Sequence, residues 1–409
     1  MRSRHCETFA RYWREIASGF LKLGATAYGG PAIMGIMQAE FQEKRQWVPK
    51  ARFVEGLSLA NMVPGATATQ LGIFLGHVRG GWWGGVLAGL CFMLPAFCIM
   101  LALAMTYAYL GAMPMMHGGL YGLGPVVLGI FVVAVYRLSR SEVTTVPQII
   151  IALTAAAAVA FTPLGMAPIL GLAAGVGLVL FYSRRVGVLS LLGLTAFLAI
   201  MYVALWTPSS VAPLAHTTAS AYPASLTDIG TFFFKIGALT FGGGLTMIAL
   251  IQEQVVDQFH WLTHQEFIDG LALGQFTPGP VLMVAAYVGY KVAGFAGAVV
   301  AATASFLPSF IIMLLILPVF ERVRMLAWTR AAMRGVGPAV MGVLAVFLVR
   351  LAPHALPDPM AVAILIGTLI ALLAWHVSAI KLMGAGAVVG MLWSRLRALP
   401  GIRALVGTL

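Results

Sequence analysis

The sequence predicts an all-α integral membrane protein of two homologous, inverted-topology repeats, with broken or re-entrant helical hairpins at the start of each half. Three observations carry this: an apolar composition, an internal repeat, and the placement of Lys and Arg. Hydrophobic residues make up 60% of the 409 and charged residues only 9%, against about 25% charged in a soluble domain. A surface of this kind is meant for the lipid bilayer. The net charge of +12 would suit nucleic acid, but the basic residues fall in short loops between apolar runs, without a Lys/Arg stripe interleaved with aromatics. They read as topology determinants, and no nucleic-acid partner is expected.

Along the chain, the N-terminus does not read as a cleavable signal, because charge continues through Arg11, Arg14 and Glu15 with no apolar core and small-residue cleavage site after it. Phe9, Trp13, Ile16 and Phe20 recur at helical spacing, as in an amphipathic helix lying at the membrane interface. Two irregular apolar segments follow, near 18–38 and 57–76, and then spans near 84–108, 118–136, 148–163, 166–182 and 188–206. An uncharged stretch rich in Pro, Ser and Ala, 207–227, separates an N-terminal repeat (1–206) from a C-terminal repeat (228–409). Cys91 and Cys98 sit in one apolar run as small buried hydrophobes, and no metal site or cofactor is expected from them.

The repeat is specific. Phe20-Leu21-Lys22-Leu23-Gly24 and Tyr28-Gly29-Gly30-Pro31 return as Phe233-Phe234-Lys235-Ile236-Gly237 and Phe241-Gly242-Gly243-Gly244, at an offset of 213. Glu40 answers Glu253, and Trp47 with Phe53-Val54-Glu55-Gly56 answers Trp261 with Phe267-Ile268-Asp269-Gly270. Asn61-Met62-Val63-Pro64-Gly65 answers Gln275-Phe276-Thr277-Pro278-Gly279-Pro280, and Phe92 to Pro95 answers Ser305 to Pro308. Chance similarity between apolar stretches does not twice set a lone Lys before a Gly pair.

Lys and Arg favour the cytoplasmic side. Arg2, Arg4, Arg11 and Arg14 place the N-terminus inside, and an odd number of spans per half makes the second copy enter from the opposite face. Lys44, Arg45, Lys50 and Arg52 lie between the first two segments of the first half, whereas 251–269 in the second half has four acids and no Lys or Arg. That contrast fits the rule only if both segments dip into the membrane and return. Arg395, Arg397 and Arg403 do not fit, since an odd total puts them outside.

The breaks carry the candidate chemistry. Gly29-Gly30-Pro31, Gly242-Gly243-Gly244, Pro64-Gly65 and Pro278-Gly279-Pro280 each interrupt an apolar run. Proline removes a backbone donor and glycine permits left-handed turns. Irregular backbone at membrane depth is tolerated only where protein or a watery cavity satisfies it. Inverted copies would bring the breaks together, with free N–H groups and positive half-helix ends aimed at one cavity, which suits an anion. Asn61 and Gln275 precede the Pro breaks as polar neighbours. Lys22 and Lys235 lie within apolar stretches, either as anion ligands or as snorkelling side chains. Glu40, Glu55, Glu253 and Asp269 are proton-coupling candidates or helix-end charges, and Arg79 and Lys291 could draw an anion to the mouth. His260 and His264 have the i, i+4 spacing of a metal pair but lie in a loop without the Glu-x-x motif of a metalloprotease, so no metal site is expected there. Neither a P-loop nor a Gly-x-Ser-x-Gly elbow occurs, so the chain does not read as an enzyme.

Phe-x-Lys-x-Gly followed by Gly-Gly, a downstream Glu, Trp before Phe-x-Glu/Asp-Gly, and Pro-Gly or Pro-Gly-Pro together resemble the chromate ion transporter family, as a long two-domain member. The resemblance implies proton-motive-force-linked chromate efflux across a bacterial inner membrane, with sulfate as a competing analogue. It points to Lys22, Gly29, Gly30, Pro64 and Gly65, and to Lys235, Gly242, Gly243, Pro278, Gly279 and Pro280, as substrate-binding positions; Asn61, Gln275 and Thr277, next to the Pro breaks, are further substrate-binding candidates from the sequence. Pro64-Gly65-Ala66 in place of Pro278-Gly279-Pro280 makes the two half-sites unequal. A sulfate or other oxyanion carrier that takes chromate as a mimic is the alternative, and the choice between monomer and homo-oligomer stays open.

Overall fold

The computed structural model describes residues 2–28, 30–110, 114–162, 166–206, 225–240, 244–319, 327–375 and 377–397. Gly29, Gly242, Gly243, most of the 207–227 stretch and Arg403 lie outside the described residues. Among the described residues the chain is helical, with no strand. The first half contains α1 (Arg2–Thr26), α2 (Gly30–Met37, continued by a π-helical turn Gln38–Lys44), α3 (Lys50–Met62), α4 (Thr67–Leu110), α5 (Pro114–Glu142), α6 (Val146–Phe161), α7 (Met166–Phe181) and α8 (Arg184–Trp206). The second contains α9 (Leu226–Ala238), α10 (Leu245–Ile251, continued by a π turn Gln252–Gln258), α11 (His264–Phe276), α12 (Val284–Ile316, entered through a 3-10 turn Val281–Met283), α13 (Ala327–Ala355), α14 (Pro359–Leu373) and α15 (Ala379–Arg397). Five of the described helical segments are long and apolar enough to cross a membrane: Thr67–Tyr109, Gly118–Arg140, Val281–Ile316, Ala327–Ala355 and Ala379–Leu396.

The first four helices form two hairpins. α2 returns along α1: Phe41 stacks on Phe20 at 4.6 Å, Arg45 donates to the Glu15 carbonyl, and Trp47 Nε1 donates to Glu15 Oε1 at 2.7 Å. α3 then descends and the first arm of α4 returns, with Phe74 packed where a Gly56 side chain would be. At Gly80 and Gly81 (φ 67°) α4 reverses, and its two arms close face to face because Gly76 and Gly84 have no Cβ to separate them. Arg79, beside this reversal, pairs with Glu15 at 2.9 Å. Glu15, Arg45, Trp47 and Arg79 thus form one base, and residues 27–28 and 63–66 form two tips at the far end.

The predicted surface helix at the N-terminus differs from the fold. Ile16 and Phe20 are 0% exposed, because the apolar stripe of α1 packs on α2 and α4 and leaves only the Trp13 side of the helix outside.

The second half repeats the plan. Phe232 meets Phe259 and Trp261 at 5.6 and 5.5 Å, Lys291 pairs with Glu266 at 2.8 Å, and α12 reverses at Ala293 and Gly294 (φ 61°). The long second arms of α4 and α12 link the bundles. The α4 arm begins at the first base and ends with Tyr107 donating to Asp269, at the second base. The α12 arm begins at the second base and ends with Met313 and Leu314 in the apolar cluster of Phe20, Phe74 and Phe92. The two bases therefore lie at opposite ends of the long arms. α5 and α13 exchange partners in the same way. α5 packs on α14 and α15, with Arg137 donating to the Leu372 carbonyl at 3.1 Å. α13 packs on α6 and α7, with Arg350 donating to the Val159 carbonyl at 2.9 Å.

Candidate functional site: two crossed helix breaks

The tips of the two halves meet and trade backbone hydrogen bonds. Gly65 N–H donates to the Thr240 carbonyl at 2.7 Å, and Gly279 N–H donates to the Ala27 carbonyl at 2.7 Å. Donors and acceptors occupy corresponding repeat positions, so the exchange is reciprocal. Local chemistry sets it up. Pro64 and Pro278 lie just past the ends of α3 and α11, and Gly65 (φ 130°) and Gly279 (φ 95°) take the left-handed region that favours glycine. The tips can cross because α1 and α9 lie directly on the long arms, where Gly24 faces the Phe92 carbonyl and Gly237 the Ser305 carbonyl. Ala66 N–H is satisfied by Ser309 Oγ at 2.8 Å, from the opposite half.

Beside the crossing lies a void of about 20 Å³ lined by Ile33, Met34, Ala66, Thr67, Ala68, Pro280, Val281 and Leu282. That is room for about one water. The first turn of α4 and the entry turn of α12 both abut it, so orphan N–H groups and the positive ends of two helices share the space. Thr67, Thr69 and Gln70 are buried here. Gln70 Nε2 donates to the Pro64 carbonyl at 2.7 Å, while Gln70 Oε1 and Thr69 Oγ1 have no hydrogen-bond partner among the described residues. Helix-end N–H groups and the Thr67 hydroxyl at this partly open void suit a small oxyanion once the space widens.

Of the sequence candidates, Gly65, Thr277, Pro278, Gly279 and Pro280 are buried around this crossing, and Thr277 Oγ1 donates to the Leu273 carbonyl at 3.0 Å. Pro64 and Gln275 are half-buried, and Gly30 opens α2. Asn61, Lys22 and Lys235 stand on exposed faces, away from the void lining. Lys22 lies seven residues past Glu15 and five before Ala27, about 10 and 8 Å of helix rise from base and tip.

The acids separate by half. Glu40 meets Arg45 at 2.8 Å and Lys44 at 3.5 Å, and the Arg45 guanidinium holds its carboxyl below the usual range. Glu55 meets Arg52 at 2.9 Å. Glu253 lies in the π turn after α10 with Oε2 lacking a hydrogen-bond partner among the described residues, and Asp269 is buried. His260 Nδ1 contacts the Val256 carbonyl at 2.8 Å, while His264 stacks on His354 at 3.9 Å and meets Asp257 at 3.4 Å. Burial, and then His354, lower the His264 pKa. No group of three metal-ligating side chains occurs among the described residues. Sequence reasoning passed over Thr67, Thr69, Gln70 and Ser309. The available signal was the polar cluster Thr67-Ala68-Thr69-Gln70 directly after a Pro-Gly break.

The model of one family, the chromate transporters, matches residues 14–180 and 227–391. A probable chromate transport protein of Synechococcus elongatus is 35% identical over 84% of this chain and 86% of its own length. A chromate transport protein of Cupriavidus metallidurans is 34% identical over 92% of both chains, and one of Pseudomonas aeruginosa is 33% identical over 83% of this chain and 80% of its own. No solved structure matches the chain.

Proposed function

This chain belongs to the chromate transporter family, and from that premise we propose that it exports chromate from the bacterial cytoplasm by proton-coupled alternating access. It is a multi-pass membrane transporter of chromate rather than an enzyme. The outward direction, the proton coupling, the inner membrane and the inverted insertion of the halves belong to the proposal, as does the division into repeats 1–206 and 228–409.

The reciprocal bond pair at Gly65 and Gly279 carries the mechanism. It joins two bundles whose bases lie at opposite ends of the long arms, so a tilt of one bundle against the other opens one face while closing the second. The charges support opposite insertion. Lys44, Arg45, Lys50, Arg52 and Arg79 cluster at the first base, whereas Asp257, Glu266 and Asp269 gather at the second, where Lys291 pairs with Glu266. Basic residues favour the cytoplasmic side, which puts the first base inside. The void is too narrow for a tetrahedral oxyanion, so the cycle has to widen it. Opening it lets Thr67, Thr69 and the helix-end N–H groups replace the water shell of a tetrahedral dianion. Lys22 and Lys235 line the approach in this reading.

The test is uptake of radiolabelled chromate by everted membrane vesicles. The expected result is accumulation that collapses when the proton gradient is dissipated and is inhibited by sulfate. Vesicles containing folded protein that take up no chromate would refute the exporter. Accumulation of sulfate, with chromate acting only as a competitor, would favour a general oxyanion carrier.

A further inference from the structure

The second half holds a polar cavity set apart from the crossing. It measures about 180 Å³ and lies between the start of α5, the first turns of α11 and the end of α13, with Tyr121, Gln265, Asp269 and His354 supplying its polar lining. Asp269 is 4% exposed and accepts hydrogen bonds from Tyr107 Oη at 2.8 Å and Gln265 Nε2 at 3.0 Å. The groups around it come from four neighbouring helices, while the π turn Gln252–Gln258 and α15 also pack on α11. α4 brings Tyr107, with the Lys291 ammonium 5.6 Å from its ring, and α12 brings Tyr287, whose hydroxyl donates to the Glu266 carbonyl at 2.9 Å. Glu266 itself is paired to Lys291. α5 brings Tyr121, hydrogen-bonded to Asp358, and α13 brings His354, stacked on His264.

The same repeat position in the first half is Glu55, and its surroundings differ. Its carboxylate meets Arg52 at 2.9 Å and its side chain is 29% exposed. One repeat position thus carries an acid ion-paired near a surface, and the other a buried acid at the wall of a cavity, hydrogen-bonded to Tyr107 and Gln265. Asp269 stands eight residues before Thr277 on α11, about 12 Å of helix rise from the crossing. The cavity lies at the second base, which the exporter reading places outside.

We propose that Asp269 takes up the coupling proton from the outer side through this cavity, and that Glu55 does not carry it. This rests on the exporter reading. A hydronium ion from the outer phase protonates an Asp269 Oδ and leaves as water, with Tyr121 and His354 as polar partners for the connecting waters. Closing the outer face over a carboxylate strands a charge in a dry site, which is costly, whereas closing over the neutral acid is not. Each closure toward the outside therefore brings a proton inward.

In everted vesicles the cavity faces the acid lumen. Asp269→Asn is expected to keep chromate–chromate exchange but lose both gradient-driven accumulation and chromate-evoked proton movement, read with a pH dye. Glu55→Gln is expected to keep all three, and Asp269→Glu to recover proton movement. Gradient-driven accumulation in Asp269→Asn, or its loss in Glu55→Gln, would overturn the assignment. Should Asp269→Asn not assemble, His354→Cys answers the same question in intact cells. A membrane-impermeant thiol reagent is expected to reach it and slow proton movement, and no labelling would overturn an outward cavity. A wild type without exchange or accumulation would sink the exporter reading itself, before any variant is compared.

Discussion

Gly279→Ala is expected to reduce chromate accumulation to background, and adding Ala96→Gly is expected to restore part of it. Gly279 has φ 95°, where a side chain costs about 1–3 kcal/mol. A Cβ there also lies 2.8 Å from Ala96 Cβ, in a fully buried wall of α4. Overpacking adds about 1–3 kcal/mol, and relief by moving the tip breaks the Gly279 N–H bond to Ala27. Deleting the Ala96 methyl removes the clash but leaves the backbone strain, so rescue is incomplete. Gly65→Ala follows a different course. The backbone strain at φ 130° remains, but its neighbours, Gln70 Nε2 and Ser309 Oγ, are side-chain ends that can shift, at the cost of their bonds to Pro64 and Ala66. Its loss should appear as weaker apparent chromate affinity with folded protein retained. Full transport by Gly279→Ala would show that the crossing need not be tight.

Gly24→Val and Gly237→Val are expected to damage the fold severely. Any Cβ at Gly24 meets the Phe92 carbonyl oxygen and any at Gly237 meets the Ser305 carbonyl oxygen, both backbone atoms of a long arm. Backbone cannot rotate aside as a side chain can, so α1 or α9 must lift off. The expected cost is about 3 kcal/mol or more, seen as a lowered Tm of the purified protein in detergent and little protein in the membrane. A Gly24→Val protein with wild-type Tm would mean that the α1–α4 contact is looser than drawn.

Much of this arrangement was legible because the repeat is written in residues with few other uses. A Lys within an apolar stretch, Pro-Gly at the end of a segment and the lopsided loop charges at 44–52 and 251–269 are not produced by hydrophobic drift. They were enough to expect paired hairpins. The reversals at Gly80–Gly81 and Ala293–Gly294 were not legible, since Ala293 is no turn residue and the reversal depends on the arm contacts Gly76–Gly84 and Gly289–Gly297. The polar residues of the site were hidden for another reason. A threonine in an apolar run reads as packing until the fold shows that Thr69 Oγ1 is buried beside helix ends. Nor could pattern alone separate Glu55 from Asp269, which share a repeat position but meet Arg52 in one half and Tyr107 and Gln265 in the other. α8 also goes beyond the repeat. It packs on α7, while the partner-exchanging helices of the second half end with α15.

Opposite insertion of the two like bundles is the premise of the proposed transport cycle. In a protein freed of its native cysteines, Lys50→Cys and Gln258→Cys place one exposed thiol at each base. With a membrane-impermeant thiol reagent, position 258 is expected to label in intact cells and position 50 only in everted vesicles. Labelling of both positions from the same side would contradict the crossed, oppositely inserted arrangement.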